Sequence, residues 1–309
     1  MTEKYKPEGF IVDTPENKEY MVNLQSLEYA MNAGLILESR VSLCDSEHNL
    51  VVDLGKYKGI IPRSETAYSI DGSEIRDIAI ITRVGKAVCF KITGIDKTTN
   101  PATIFLSRRS AQAKCYEDYI SSLKSGDIID AKITHIEPFG CFCDIGCGII
   151  SLLPVDCISV SRISNPKERF SQHERIKCVV KQNDKQSGRV TLTHKELLGT
   201  WEENASRFSA GETAAGIIRS IEPYGIFVEL TPNLAGLAEW CDGAEVGQNA
   251  AVYIKSIIPE RMKVKLVIVD SSFSSTTPEK PEYFISDGHI DVWRYSPENC
   301  EKEIITEFE

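Results

Sequence analysis

The chain has 309 residues, 42% of them hydrophobic, which suffices for the cores of two or three domains and excludes a wholly disordered chain. Its net charge of −10 argues against nucleic-acid binding by the surface as a whole. Whether one part of the surface can bind a nucleic acid therefore depends on the local distribution of charge. No apolar run could span a bilayer, no secretory signal is visible and the ten cysteines are scattered. We therefore expect a cytoplasmic protein with reduced thiols and no membrane partner.

Residues 1–33 form a leader for which the sequence predicts one helix. Within residues 23–32, Leu24, Leu27, Ala30 and Met31 recur at the three- and four-residue spacing of a helix face. We expect this helix to cap the module that follows. That first module, residues 34–112, consists of short runs rich in β-branched residues, which is typical of strands.

The second module, residues 122–198, is predicted to be a small closed barrel. Five short strands are predicted within it, at residues 128–137, 141–145, 148–153, 176–183 and 189–193. A domain of this size cannot otherwise cover its sheet edges, and closure of the sheet removes them. Residues 184–188 (DKQSG) have the composition of a turn before the last strand.

An internal repeat connects the second module to a third, residues 208–271. The segment IEPFGCFCDI at residues 136–145 recurs as IEPYGIFVEL at residues 221–230. Residues 195–207 have helical spacing and are predicted to be a short linking helix between these two modules. A fainter copy upstream matches VVDLG, residues 51–55, to FCDIG, residues 142–146. The chain therefore contains three modules of one kind.

The tail, residues 272–309, is acidic and is predicted to contain a β-hairpin. From Asp270 to the end, ten acidic and three basic residues give a charge of −7, whereas residues 161–190 carry eight basic and three acidic residues, or +5. Asp287-Gly288 between residues 283–286 and 289–295 is typical of a hairpin turn. We expect this hairpin to pack on the third module, with partner binding through Trp293 and Tyr295 as the alternative. We also expect the acidic tail to suppress indiscriminate binding of polyanions by the basic segment.

Residues FGCF at 139–142, DIG at 144–146 and RVTLTHK at 189–195 resemble the S1 RNA-binding domain, an OB-fold module. YGIF at residues 224–227 carries the resemblance in the third module, and VDLG at residues 52–55 carries it in the first. The resemblance to the S1 domain implies an all-β chain of three tandem five-stranded OB-fold barrels with short linking helices. The run of modules is similar to that of short bacterial homologues in the ribosomal protein S1 family. In the first module the aromatic slots fall on or near His48 and Val51, which implies docking there rather than RNA contact.

Exposed aromatic rings and cations are what single-stranded RNA requires of a protein surface. Gly140 and Gly225 each separate two aromatic residues and can present them on one face, which we expect to stack on bases. The alternative is that these rings are core and the glycines mark bulges. Asp184 is either an acceptor for a base edge or ribose hydroxyl or simply a turn residue. The predicted RNA-binding residues are Phe139, Phe142, Tyr224 and Phe227 for stacking, Arg189, Lys181, Lys132 and Lys263 for phosphates, and Asp184.

No catalytic motif is visible in the chain. Cys141, Cys143, Cys147 and Cys157 do not have the spacing of a structural zinc site, so we predict no metal and no cofactor. There is no P-loop and no nucleophile elbow, and we predict that the chain is not an enzyme. The predicted function is low-specificity binding of single-stranded RNA, mRNA in particular, in translation, with the first module attached to the small ribosomal subunit. The alternatives are a protein-interaction scaffold of OB barrels and an accessory RNA-binding subunit of an RNA-processing or degradation complex.

Overall fold

Three closed five-stranded β-barrels follow one another along the chain. The computed structural model describes residues 5–69, 72–73, 75–273 and 281–309, so residues 1–4 of the leader and 274–280 of the tail lie outside the described residues. Buried and more exposed side chains alternate along parts of most strands, as closure of a small sheet around an apolar core requires. The predicted all-β architecture of tandem OB-type barrels is confirmed.

The first barrel is preceded by two helices, α1 (Pro15–Glu19) and α2 (Leu24–Asn32). The side chain of Asn23 accepts a hydrogen bond from the Ser26 N–H and begins α2, and Leu27 and Ala30 bury the inner face of α2 in the barrel core. The predicted capping helix is therefore confirmed. The strands of this barrel, which run in the order β1-β2-β3-β5-β4, are β1 (Leu37–Cys44), β2 (Leu50–Leu54), β3 (Tyr57–Ile61), β4 (Ala87–Asp96) and β5 (Thr103–Ser107), with α3 (Asp77–Ile81) between β3 and β4.

The second barrel follows α4 (Arg108–Asp118), whose N-terminus is capped by the Ser107 hydroxyl. Its strands are β6 (Ile128–Glu137), β7 (Gly140–Asp144), β8 (Ile150–Pro154), β9 (Arg175–Asp184) and β10 (Arg189–Thr193). Each lies within two residues of the strand predicted from sequence. In the closed order β10-β8-β7-β6-β9, strand β9 pairs with both β6 and β10.

The third barrel repeats the strand order of the first. The helix α5 (Trp201–Ala205) leads into β11 (Thr213–Glu222), β12 (Gly225–Thr231), β13 (Leu234–Ala238), β14 (Asn249–Ile258) and β15 (Lys263–Ser272). The connection after the third strand is residues 239–248 here, whereas residues 155–174 make the same connection in the second barrel. The third barrel thus has a connection about half as long as that of the second at this point.

The hairpin predicted for the tail is wrong. Strand β16 (Val292–Arg294) pairs instead with β17 (Ile305–Glu307), and residues 283–286 lie outside the strands. The reason is tertiary contact. Trp293 and Tyr295 are buried in the core cluster of the third barrel, and the Gly288 carbonyl accepts a hydrogen bond from the Ile128 N–H of the second. These contacts outweigh the local preference of Asp287-Gly288 for a tight turn.

The leader segment, residues 5–11, connects the first two barrels through a buried ion pair. Glu8 Oε1 accepts hydrogen bonds from Arg108 Nε at 2.6 Å and from the Cys89 N–H at 3.1 Å. The Glu8 N–H donates to Asp144 Oδ2 of β7 at 2.7 Å. Burial alone would raise the pKa of Glu8, but the Arg108 guanidinium lowers it below its ordinary value. The leader is therefore part of the folded core between these barrels.

Candidate nucleic-acid interface

The second barrel presents one exposed aromatic ring immediately before β7. Phe139 is 56% exposed and Phe142 is half-buried; their rings meet edge to face, with centroids 6.0 Å apart. Gly140 lies between them because its backbone passes close to β8: an added Cβ would come within 2.5 Å of the Leu153 carbonyl oxygen. The sequence left open whether these rings were core or surface. The structure exposes the first and packs the second beneath it.

The third barrel repeats this arrangement at the start of β12. Tyr224 is 70% exposed, Phe227 is half-buried, and their ring centroids lie 6.2 Å apart at 90°. Gly225 again allows close approach, here to the Ala238 carbonyl oxygen, which a Cβ would meet at 2.5 Å. Two successive barrels therefore carry the same pair of rings in the same orientation.

The three predicted cations of the second barrel lie on the adjacent strands β6, β9 and β10, but they are not equally available. Arg189 and Lys181 are exposed. The Lys181 ammonium lies 3.3 Å from Cys157 Sγ. Lys132 is half-buried, and its ammonium donates to the Glu8 carbonyl of the leader at 2.8 Å. Arg189 and Lys181 are therefore accessible from solvent, whereas Lys132 is engaged by the leader.

Asp184 stabilises the turn between β9 and β10. Its carboxylate accepts hydrogen bonds from the Gln186 N–H at 2.9 Å and the Ser187 hydroxyl at 2.6 Å. The Ser187 hydrogen bond, followed by those from the backbone, lowers the pKa of Asp184. Asp184 lies opposite Arg189 in the pairing of β9 with β10, so the turn that it stabilises sets the backbone position of Arg189.

The comparisons with known proteins agree with this architecture. Residues 31–109 and 122–195 match the family model described as the S1 RNA binding domain. The small ribosomal subunit protein bS1 homolog of Bacillus cereus is 28% identical over 240 residues, 72% of this chain and 60% of that protein. The bS1 protein of Staphylococcus aureus is 28% identical over 258 residues, 78% of this chain and 63% of that protein. This chain is an S1-domain protein.

The S1-domain protein spans about three-fifths of the length of these curated relatives. Among solved structures, a multidomain protein with nucleic acid binding domains from Streptococcus pneumoniae is 12% identical, with a TM-score of 0.24 over 78% of this chain and 75% of that one. The third barrel lies outside the two matched segments, but its strand order is theirs. Within the described ranges, the helices are too short or too polar to cross a membrane.

One further cation, Lys265, lies at the candidate interface and was not among the predicted residues. Lys265 lies on β15 beside Leu237 of β13, and Leu237 in turn lies opposite Phe227 of β12. Lys263, the predicted cation, is exposed on the same face of β15, two residues away. The alternation of Lys263 and Lys265 around buried Val264 was a signal in the sequence, because residues two apart on a strand share a face.

The basic segment at residues 161–190 is less free than its charge suggests. Arg169 donates to buried Glu229 of the third barrel at 2.5 Å, and Lys177 pairs with Asp130 of β6 at 2.9 Å. Arg175 donates to the Gly9 carbonyl of the leader at 2.7 Å. Arg169 thus connects the second barrel to the third and Arg175 connects it to the leader, whereas Lys177 is paired within the second barrel. The cations that remain exposed on this segment besides Arg175 are Arg162, Lys167, Lys181, Lys185 and Arg189.

The cysteines of the second barrel belong to its core. Cys141 and Cys143 point inward from β7, and burial raises the pKa of Cys141 to about 12. A buried thiol held protonated in this way is a poor metal ligand, because metals bind the thiolate. In the part of the chain that the structure describes, no group of three histidine, cysteine or acidic side chains is arranged to hold a metal ion.

Proposed function

We propose that this S1-domain protein binds single-stranded RNA, messenger RNA in particular, with little sequence preference and without catalysis of its own. The observation that carries the proposal is the pair of exposed rings, Phe139 and Tyr224, at matching positions of successive barrels. An exposed ring can stack on any base, because every base has an aromatic face. Stacking therefore provides affinity without reading the sequence.

The phosphates of the bound strand are assigned to cations beside each ring pair. In the second barrel these are Arg189 and Lys181, with Lys132 after displacement of the leader carbonyl. In the third barrel they are Lys263 and Lys265 on β15. Asp184 keeps its role in the turn and presents Arg189. Binding that depends on such contacts weakens as salt is raised, with a slope of about −0.7 per phosphate neutralised on a single strand.

We assign the protein to translation in the cytoplasm, attached to the small ribosomal subunit. The support is that the curated relatives in Bacillus cereus and Staphylococcus aureus are small ribosomal subunit proteins. The first barrel is the proposed attachment surface, because the positions of the aromatic pair there fall on or near His48 and Val51. At those positions the first barrel has no pair of aromatic rings to stack on bases.

The test is fluorescence anisotropy with a short labelled single-stranded RNA across a salt series. Phe139→Ala and Tyr224→Ala are expected to lower affinity roughly 5- to 150-fold each, the equivalent of about 1–3 kcal/mol per stacked base. Both rings are exposed, so the variants should keep the circular dichroism spectrum of the wild type. Tyr29→Ala is the matched control, because Tyr29 is an exposed aromatic residue on α2, outside the proposed interface.

Two results would contradict the proposal. The first is the absence of RNA binding by the wild type at low salt, which would favour a scaffold that binds other proteins. The second is equal loss of affinity in Tyr29→Ala and in the two interface variants. Copurification with a ribonuclease rather than with ribosomal subunits would move the protein from translation to RNA degradation, and would leave its RNA interface unchanged.

A further inference from the structure

We propose that Trp240 is a third base-stacking face of the third barrel, so that this barrel holds one more base than the second. The inference rests on the proposed RNA-binding function and adds a residue to the interface. Trp240 is 63% exposed, whereas the other two tryptophans, Trp201 and Trp293, are 2% and 5% exposed. An indole exposed to water does not bury its large apolar face, so that face contributes nothing to the stability of the fold. The same face is the largest stacking surface of any side chain.

The strand register brings Trp240 to the same edge of the barrel as Tyr224. Strands β12 and β13 are antiparallel, with Phe227 opposite Leu237 and Ile226 opposite Ala238. Continuing this register by two residues beyond the strands places Tyr224 opposite Trp240. The exposed phenol and the exposed indole therefore flank the mouth of one hairpin, and Phe227 lies behind them on β12.

The second barrel has a different residue at this position. There Gly140 pairs with Pro154, and the Val155 N–H donates to the Phe139 carbonyl at 3.0 Å. Half-buried Val155 thus corresponds to Trp240, and the connection of residues 155–174 follows it and contacts the third barrel. In the third barrel the connection is only residues 239–248. At this position the third barrel therefore has an exposed indole where the second has a half-buried aliphatic side chain.

The polar groups around Trp240 suit a base better than a phosphate. The indole N–H makes a long hydrogen bond of 3.3 Å to Asp242 Oδ1, which orients the ring. The Glu239 carboxylate pairs with the Lys255 ammonium at 2.8 Å, so its charge is partly neutralised. Glu239 and Asp242, the two acids at this edge, repel phosphate. The cations that attract phosphate, Lys263 and Lys265, lie on β15 instead. The arrangement assigns bases to the hairpin mouth and phosphates to the β15 side.

Trp240 reports its own occupancy, because it is the exposed one of three tryptophans. Titration with an unlabelled oligouridylate is expected to quench tryptophan emission and to protect the exposed fraction from acrylamide. Trp240→Phe should remove both signals and keep the affinity near that of the wild type, since phenylalanine retains a stacking face. Trp240→Ala should lower the affinity roughly 5- to 150-fold by anisotropy.

The outcomes separate this inference from the function on which it rests. If anisotropy shows RNA binding while tryptophan emission and acrylamide quenching stay unchanged, Trp240 is not a stacking face and the inference is overturned. If anisotropy shows no binding, the proposed function itself fails. Val246→Ala is the matched control, an exposed apolar residue on the same connection. An equal loss of affinity in that variant would also overturn the inference, because it would indicate a disturbed loop.

Discussion

At the scale of single residues, His194 shows how a side chain beside the interface serves the core. Its Nδ1 lies 2.9 Å from the Ile158 carbonyl, and its Nε2 lies 3.3 Å from the Tyr283 hydroxyl of the tail. The ring packs edge to face against Phe170 and Tyr283. Burial lowers the pKa of His194 to about 4, well below its ordinary value of 6.5. The folded protein therefore keeps this ring neutral at a pH where the unfolded chain protonates it.

This difference predicts a loss of stability on mild acidification. Between pH 6.5 and pH 4 the unfolded chain binds a proton that the folded protein does not, so the free energy of unfolding decreases as the pH falls. The full effect is about 3 kcal/mol, at roughly 1.4 kcal/mol per pKa unit. Urea unfolding followed by the emission of buried Trp201 and Trp293 would measure it. His194→Asn, which can still donate to Ile158, should flatten the dependence.

The pH dependence of the free energy of unfolding has to be compared between His194→Asn and the wild type, because another buried group titrates in the same range. Burial also raises the pKa of Glu38 to about 7. A raised acid pKa makes the folded state the stronger proton binder, so Glu38 contributes stability that decreases as the pH rises toward 7. That contribution opposes the one from His194 and cancels in the difference. Identical pH profiles for wild type and His194→Asn would show that His194 does not titrate as described.

The residues of the site were predictable to the extent that they depend on local repetition. The recurrence of a glycine between two aromatic residues was enough to identify Phe139 and Tyr224 as candidates. The engagement of Lys132 by Glu8 was not predictable, because the two residues are 124 positions apart in sequence and meet only when the leader docks. The ion pair of Arg169 and Glu229 was not predictable either, because it joins residues of different barrels. A count of charges along the chain cannot tell a free cation from one used in packing.

At the scale of elements, the leader segment is the most consequential contact between the first two barrels. Arg108 and Glu8 form two charge-assisted hydrogen bonds, Nε to Oε1 at 2.6 Å and Nη2 to Oε2 at 3.1 Å, in a site closed to solvent. The Gly9 and Ile11 N–H groups donate to the carboxylate of Glu38 on β1. The leader thus bonds to both barrels along its backbone.

Removing one charge of this buried pair should release the leader. Glu8→Gln leaves the Arg108 guanidinium without its counter-ion, which typically costs about 3–5 kcal/mol. Hydrogen exchange of residues 5–12 would measure the loss as faster exchange of the amides bonded to Glu38. Asp13→Asn is the control, because it removes the leader pair of Asp13 and Lys18, which is exposed to solvent and contributes little to stability. Equal protection of the leader in Glu8→Gln and wild type would refute a structural role for the pair.

Secondary structure was most predictable where turn chemistry and strand pattern agreed. In the second barrel the run at residues 189–193 follows a turn of Asp, Ser and Gly, and the structure has β10 at the same residues. In the tail, Asp287-Gly288 gave an equally good local signal, but Tyr283 and Trp293 pack against the barrels instead. Their burial outweighs the few tenths of a kcal/mol that favour one turn type.

At the scale of the whole molecule, charge is divided between a basic centre and an acidic tail. The tail is also a structural element, because Ile290, Trp293 and Tyr295 complete the core cluster that includes the third barrel. Deleting residues 272–309 would therefore remove apolar side chains as well as charge. The effect of the charge alone has to be measured with substitutions at exposed acids.

Neutralising four exposed tail acids is expected to raise the affinity for unrelated single-stranded RNA at low salt. Glu298→Gln, Glu301→Gln, Glu307→Gln and Glu309→Gln together change the net charge from −10 to −6 without touching a buried group. The physical reason is long-range repulsion between these carboxylates and the RNA phosphates, which acts over the Debye length, about 30 Å at 0.01 M salt and 3 Å at 1 M. Anisotropy across that range should show the gain at low salt and its disappearance at high salt.

The control carries the same change in net charge at the other end of the molecule. Glu16→Gln, Glu19→Gln, Glu47→Gln and Glu117→Gln neutralise exposed acids in α1, the first barrel and α4. If the tail repels RNA from where it packs, against the second and third barrels, this control should gain less affinity than the tail variant at every low-salt point. An equal gain would show that only the total charge matters, since a position-independent field cannot distinguish the two sets.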